Sequence, residues 1–345
     1  MVEAIVLELE RKSLDLQEEN VATIYFGGGT PSVLQIHEVQ SILTKINSTF
    51  QLVEDVEITF EANPDDVTAA YLAGLRTTGV NRISLGIQSF FERDLTWMNR
   101  SHNVGQAFEA IRLTTEAGFK NVNIDLIYGL PGMKFSEWRN NVEELLKTDV
   151  NHLSAYHLTV EEKTLLNHQV KIGKVKLPPD NQSIEEVEWL ENRLNASSWE
   201  RYEISNFCVN EAYAVHNTNY WLGKKYMGVG PSAHSYFGDR RTWNVKNNAL
   251  YVKKMGEGET CWETEILTQR DLVNEAIMLG LRTKWGVNME KVKNLAEVDF
   301  WKSREKMLAQ FQQANEVQID SGCLKLTAKG KLLADHIASE LFWDE

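Results

Sequence analysis

Ile24-Tyr25-Phe26-Gly27-Gly28-Gly29-Thr30-Pro31 is the stretch on which the fold turns. An apolar run ends in three consecutive glycines and then a proline. The run reads as a buried strand. The glycines mark where the backbone becomes bare, as it does where φ is unusual or a ligand touches the main chain. Pro31 stops the ladder, and Ser32 is a candidate cap for a following helix. Strand, bare loop and helix start together make the geometry of a cofactor site in an α/β protein. A phosphate P-loop is excluded, because no Gly-Lys-Ser/Thr ending follows. The same residues, taken alone, also suit a simple strand–helix turn.

Outward from this loop, short apolar segments recur at 22–26, 56–60, 82–87, 121–127 and 152–159. Each is rich in Ile, Val, Phe or Leu, as strands covered by helices are. Helical patterns lie between them. Val39, Ile42, Leu43 and Ile46 fall at i, i+3, i+4 and i+7, which makes one apolar stripe. Residues 66–77, 104–117 and 136–147 read similarly, Gly79 and Gly118 sit where helices stop, and 1–12 also read as helix. Strands recurring every ~25–40 residues with helices between them predict a parallel barrel or an open parallel sheet.

The strand ends share a property. The segment 56–60 runs into Glu61-Ala62-Asn63-Pro64, and 82–87 runs into Gln88-Ser89. Asp125 lies in 121–127, and Tyr156 and His157 lie in 152–159. In barrels, loops converge over the C-terminal strand ends, so carboxylates and amides gathered there are hard to explain as packing. Singly each has a bland explanation: Asp125 as a turn cap, Glu61 as the partner of a nearby Arg.

The 345 residues, 43% hydrophobic and 25% charged, suffice for one large domain or two. A net charge of −13 argues against nucleic acid and against a polybasic membrane anchor. No apolar run is long enough to form a transmembrane segment, and no signal-peptide pattern follows Met1, so a cytoplasmic protein is expected. Cys208, Cys261 and Cys323 are far apart and form no CxxC, which reads as incidental thiols in a reducing compartment.

Residues 165–200 read as a polar, partly helical connection, and 201–245 are dense in aromatics, glycine and His. Helices are predicted at 269–282 and 302–314. A hairpin is predicted from Val317–Asp320 and Cys323–Leu326, with a last helix from about Ala328. This is a mostly helical, winged-helix-like pattern. Residues 268–345 carry 11 Lys/Arg against 12 Asp/Glu, a charge that excludes DNA binding there.

The motifs then resemble one family. IYFGGGTPSVL at 24–34, FEANPDD at 60–66, RISLGIQSF at 82–90, MNRSH at 98–102, NIDLIYGLPG at 123–132 and SAYHLTVEEKT at 154–164 are similar to those of radical S-adenosylmethionine (SAM) proteins of the coproporphyrinogen-oxidase-like group. So are RYEISNF at 201–207, HNTNYW at 216–221, GVGPSAHSY at 228–236 and LTAKGKLLADHIASELF at 326–342. The resemblance covers nearly the whole chain. It implies an α/β fold: a partial (β/α)6 TIM-like barrel over 1–165, a connecting and haem-motif segment over 166–262, and a family-type C-terminal domain over 263–345. It also implies a SAM site made by Gly28, Gly29, Thr30, Glu61, Gln88, Arg100 and Asp125, with Tyr156 and His234 held more loosely.

His216-Asn217-Thr218-Asn219-Tyr220-Trp221 resembles the HNxxYW haem-binding motif of the haem-chaperone branch. The implied haem motif is His216, Asn217, Tyr220 and Trp221, with His216 the candidate iron ligand. For an arbitrary His the usual reading is a hydrogen-bonded loop residue. The resemblance thus implies a chaperone that hands haem to haem-requiring proteins such as respiratory enzymes, and a homodimer as a candidate assembly. The alternative is an oxygen-independent coproporphyrinogen III oxidase-like enzyme.

One part of the family pattern is missing. Its [4Fe–4S] cluster needs a CxxxCxxC loop upstream of the glycines, whereas no cysteine occurs among the 26 residues before Gly27. The sequence is therefore expected to lack a first strand and the cluster loop, through an internal start at Met1 in preference to natural loss of the cluster. As written it is expected neither to cleave SAM nor to form a 5′-deoxyadenosyl radical. Reading roughly 35 codons upstream, about one strand, one loop and part of a helix, tests the first point. Stoichiometric cluster after anaerobic reconstitution, with SAM cleavage, would overturn the second.

Overall fold

The computed structural model describes residues 1–343. The last two residues of the expected segment 263–345 lie outside the described residues. The chain opens with α1 (Val2–Arg11), β1 (Asn20–Phe26), α2 (Ile36–Thr49), β2 (Gln51–Ala62), α3 (Ala69–Thr78) and β3 (Arg82–Gln88). It continues with α4 (Glu92–Trp97), α5 (Val104–Glu116), β4 (Asn121–Tyr128), α6 (Phe135–Leu145) and β5 (His152–His157).

These five strands lie parallel in the order β1-β2-β3-β4-β5, with Tyr25 opposite Thr59, Glu61 opposite Ser84 and Asp125 opposite Ser154. Parallel strands need helical crossovers, and the amphipathic stripes supply them. α2 buries Val39, Ile42, Leu43 and Ile46, as its spacing predicts. Such side chains contribute roughly 1.5–3 kcal/mol each. α3 ends on Gly79 at φ +100°, a left-handed cap that glycine takes without strain.

Ser32 does not cap α2. Pro31–Val33 form one turn of 3-10 helix, and the Ser32 hydroxyl donates to Asp66 at 2.5 Å. α2 starts instead at a reciprocal box between Gln35 and Glu38.

After β5 come α7 (Leu165–Lys171), α8 (Asp180–Asn195), β6 (Trp199–Arg201) and β7 (Asn206–Val209). β7 lies antiparallel beside β5, and β6 antiparallel beside β7. The main sheet is thus a seven-stranded, mostly parallel open sheet, and no closed barrel forms among the described residues. Its core runs from Leu9 to Phe207.

The aromatic segment builds α9 (Val215–Trp221), β8 (His234–Tyr236), β9 (Arg240–Asn244), α10 (Asn248–Glu257) and β10 (Trp262–Ile266). The three strands form an antiparallel sheet in the order β10-β9-β8. α1 is tied to this region by buried charge. Glu8 pairs with Lys12 at 2.7 Å and accepts from the Tyr251 hydroxyl at 2.6 Å, the Asn244 amide at 2.6 Å and Gly230 N–H at 2.8 Å.

The chain ends in α11 (Gln269–Leu281), β11 (Val287–Asn288), α12 (Met289–Ala296), α13 (Phe300–Gln313), β12 (Val317–Asp320), β13 (Cys323–Leu326), α14 (Ala328–Lys331) and α15 (Ala334–Leu341). The expected hairpin is present, with β11 added as a third strand. These helices enclose a second core that includes Ile277, Leu324 and Ile337.

Candidate functional site

The site begins where β1 stops. Gly28 adopts φ +74°, and around Gly28 and Gly29 no atom lies within 4 Å of where a Cβ would stand. The loop therefore presents bare backbone to open space. Thr30 closes it, its carbonyl accepting from Val33 N–H. Gly27 is different: a Cβ there would lie 2.4 Å from the Tyr25 ring and 2.9 Å from the Glu61 carboxyl. Glycine is required here because a neighbouring side chain passes over the main chain.

Glu61, at the end of β2, accepts a 2.5 Å hydrogen bond from the Tyr25 hydroxyl. Asp125 in β4 accepts from Asn123 Nδ2 at 2.7 Å. Burial pushes the Asp125 carboxyl up to about 6. Hydrogen bonds from Asn123, Ser154 and Ser84 oppose the rise, while the Glu61 charge adds to it. Tyr156, at the end of β5, is 45% exposed yet raised to about 12, by burial of its hydroxyl first and by the Asp125 charge next. Two acids and two tyrosines thus share one electrostatic neighbourhood. Neither acid has its bland role: Asp125 caps no turn, and the partner of Glu61 is a tyrosine.

The other wall follows β3. Gln88 holds φ +67°, a left-handed conformation unusual for a residue with a side chain and common at binding sites. Arg100 donates to Asn63 Oδ1 at 2.7 Å and to the Gly86 carbonyl at 3.2 Å, while its buried Nε has no partner among the described residues. An orphaned guanidinium N–H beside strand ends fits an anionic group.

The HNTNYW segment is a helix, α9, seated on β1. Glu57 of β2 accepts from the N–H groups of Val215 (3.0 Å) and His216 (2.9 Å), so a carboxylate closes the first turn. The His216 ring stacks on Tyr25 with centroids 4.8 Å apart, and Tyr220 meets it edge-on at 5.0 Å. His216 Nδ1 lies 2.8 Å from the Thr23 hydroxyl. Burial lowers its pKa to about 4, so the imidazole is neutral at pH 7. With Nδ1–H donating to Thr23, Nε2 keeps its lone pair free.

Further along the helix, Thr218 Oγ1 and Trp221 Nε1 are buried without partners among the described residues. Asn217 Nδ2 contacts the Tyr202 hydroxyl at 3.4 Å. That hydroxyl also meets buried His152 at 2.8 Å, and His152 reaches Asn123, the partner of Asp125, at 2.6 Å.

The structure therefore brings Gly28, Gly29, Thr30, Glu61, Gln88, Arg100, Asp125 and Tyr156 to one end of the parallel sheet. His216, with Asn217, Tyr220 and Trp221, sits on α9 against β1, the strand that runs into the glycine loop. His234 is exposed at the start of β8 and faces Trp243 of β9 at 6.4 Å. Sequence reasoning missed Tyr25, Thr23 and Glu57. A signal was present for one of them: Glu57 is an acid between the apolar Val56 and Ile58 of β2, and it is buried beside Arg82.

The thiols are not gathered. Cys208 is buried in β7, Cys261 packs on Met255 beside α10, and Cys323 lies in the C-terminal hairpin. No group of three or more Cys, His, Asp or Glu suited to a metal occurs among the described residues. The residues present do not fit a [4Fe–4S] cluster.

Comparison with known proteins fits this geometry. Residues 2–145 match the radical SAM superfamily, and residues 267–333 match the HemN C-terminal domain. The heme chaperone HemW of Mycobacterium tuberculosis is 34% identical over 98% of this chain and 85% of its own. This chain is a HemN-like radical SAM protein of the HemW family. The HemW of Lactococcus lactis is 30% identical over 100% of this chain and 90% of its own. The structure of Escherichia coli coproporphyrinogen III oxidase (HemN), a radical SAM enzyme, superposes with a TM-score of 0.83 at 23% identity. It covers 99% of this chain and 82% of the oxidase, a likeness of fold. No described helix is long and apolar enough to cross a membrane.

Proposed function

We propose that this HemW-family chain is a haem-binding chaperone that takes haem iron on His216 Nε2 and passes haem to haem-requiring proteins, respiratory enzymes among them, in the cytoplasm. The observation that carries the reading is the state of His216. Burial favours the neutral ring, Nδ1 lies 2.8 Å from the Thr23 hydroxyl, and in the tautomer whose Nδ1–H donates to Thr23 the Nε2 atom carries the lone pair that an axial haem ligand requires. Tyr25 and Tyr220 supply aromatic surface beside it. The shared name of the relatives supports the direction of the proposal.

The strand-end residues fit SAM. Gly28 and Gly29 would offer backbone groups to its amino acid end, and Arg100 would pair with its carboxylate through the unpartnered Nε–H. Glu61, Gln88 and Asp125 would accept or donate hydrogen bonds to hydroxyls and amines. In its superfamily SAM supplies a 5′-deoxyadenosyl radical once a cluster reduces it. Nothing specific in this site favours the oxidase reading over the chaperone.

Haem titration tests the proposal. A saturable Soret shift is expected for the wild type, and its loss in His216→Ala. No shift in the wild type, or an unchanged shift in His216→Ala, removes the reading.

A further inference from the structure

We propose that a second pocket, separate from the strand-end site, binds a small oxyanion of the phosphate type. It lies between the β6–β7 turn and the C-terminal helices and hairpin, has a volume of about 160 Å³, and is lined by Arg201, Arg282, Lys284, Lys325 and Lys331. A chain of net charge −13 thus lines one small cavity with five cationic residues. They come from four separate elements: β6, the end of α11, β13 and α14. The C-terminus of α11 accounts for Arg282, because a helix end attracts cations. It does not account for Lys325 and Lys331.

The partners of these cations decide how available they are. Arg201 and Lys331 share a single carboxylate, Glu191, at 2.8 and 2.5 Å. Lys284 pairs with Glu200 at 2.6 Å. Arg282 and Lys325 are held by Asp335 and Asp320, whose side chains are 80% and 57% exposed. Ion pairs to solvated carboxylates contribute little, so an incoming anion displaces them readily. Five cations are therefore served by four carboxylates, two of them loosely. The single acid among the lining residues, Glu203, is buried, is bonded to Asn206, and has its pKa raised by that burial.

The volume selects the ligand. It is below the 300–1,000 Å³ typical of drug-sized ligands, but it admits one or two phosphate groups. A dianion there would be shared between Lys325 and Lys331 of the C-terminal region and Arg201 and Lys284, whose elements meet at the Glu203–Thr283 bridge. Its binding would tie those elements together.

The test uses the full chain and isothermal titration with inorganic phosphate, pyrophosphate and glycerol 3-phosphate at matched ionic strength. Saturable binding is expected, weakened about tenfold or more in the Arg282→Gln/Lys325→Gln double variant. It should be unchanged in Arg112→Gln, an exposed helix arginine paired with Glu109 and Glu116. The arms separate a free anion from a phosphate ester: pyrophosphate binding tightest indicates the first, glycerol 3-phosphate the second. The Lys325→Gln single variant serves if the double variant misfolds. Absence of saturable heat overturns the proposal, and so does equal binding by wild type and pocket variants.

Discussion

Removing Glu57 tests whether the haem motif is held by its seat on the sheet. The carboxylate accepts two hydrogen bonds from the first turn of α9 and stands 4.0 Å from the buried Arg82. Hydrogen bonds to a charged group contribute about 1.5 kcal/mol or more each, so Glu57→Ala removes about 3 kcal/mol of anchoring. It also leaves Arg82 uncompensated, which brings the total loss to about 3–5 kcal/mol. Glu57→Gln keeps one acceptor and loses roughly half as much anchoring, about 1.5 kcal/mol. If haem must then reorder α9, its Kd rises about tenfold in Glu57→Gln and up to about a hundredfold in Glu57→Ala. Urea unfolding followed by far-UV circular dichroism gives the stability loss, and Soret titration of the folded protein gives the Kd. A Glu57→Gln protein that is destabilised yet binds haem with unchanged Kd refutes the reasoning, because the seat would then serve folding alone.

Four further outcomes are expected. Because burial lowers His216 from its usual 6.5 to about 4, haem ligation should persist through pH 5 and be lost as pH falls through about 4, which a pH series of Soret spectra reads. The same depressed pKa makes the contribution of His216 to stability complete above pH 6.5, and that contribution is lost as pH falls toward 4. Asp125 has the opposite sign: raised from 3.8 to about 6, its share of stability is full below pH 3.8 and gone above 6. Asp125→Asn should therefore raise stability at pH 8, by up to about 3 kcal/mol, and have little effect at pH 4, as denaturation at both values would show. Finally, Lys12→Met should destabilise the chain by about 3–5 kcal/mol in thermal or urea unfolding, because it strands the buried Glu8 carboxylate.

The parallel half of the fold was legible because its information is local. Each strand is a short segment rich in apolar residues, the crossovers carry amphipathic stripes, and polar residues gather toward the strand ends where the loops begin. The segment from 199 to 266 was not. Its strands are three to five residues long, too short for a period to show, and aromatics serve there as packing and as ligand surface alike. That HNTNYW forms a helix depends on Glu57, more than 150 residues earlier. Tyr25 looked like one more apolar strand residue. Only the fold shows its hydroxyl on Glu61 and its ring on His216, a single side chain in contact with both halves of the candidate site.

The docking of α1 has a consequence for how the chain is made. Glu8 and Lys12 emerge early, but Gly230, Asn244 and Tyr251, which satisfy them, are more than 200 residues downstream. At 5–20 residues per second the ribosome needs about 10–50 s to reach those partners. During that interval the first helix of the main sheet carries an acid and a base that cannot yet leave water. Completion of the N-terminal packing is thereby made a late event, timed by synthesis of α10.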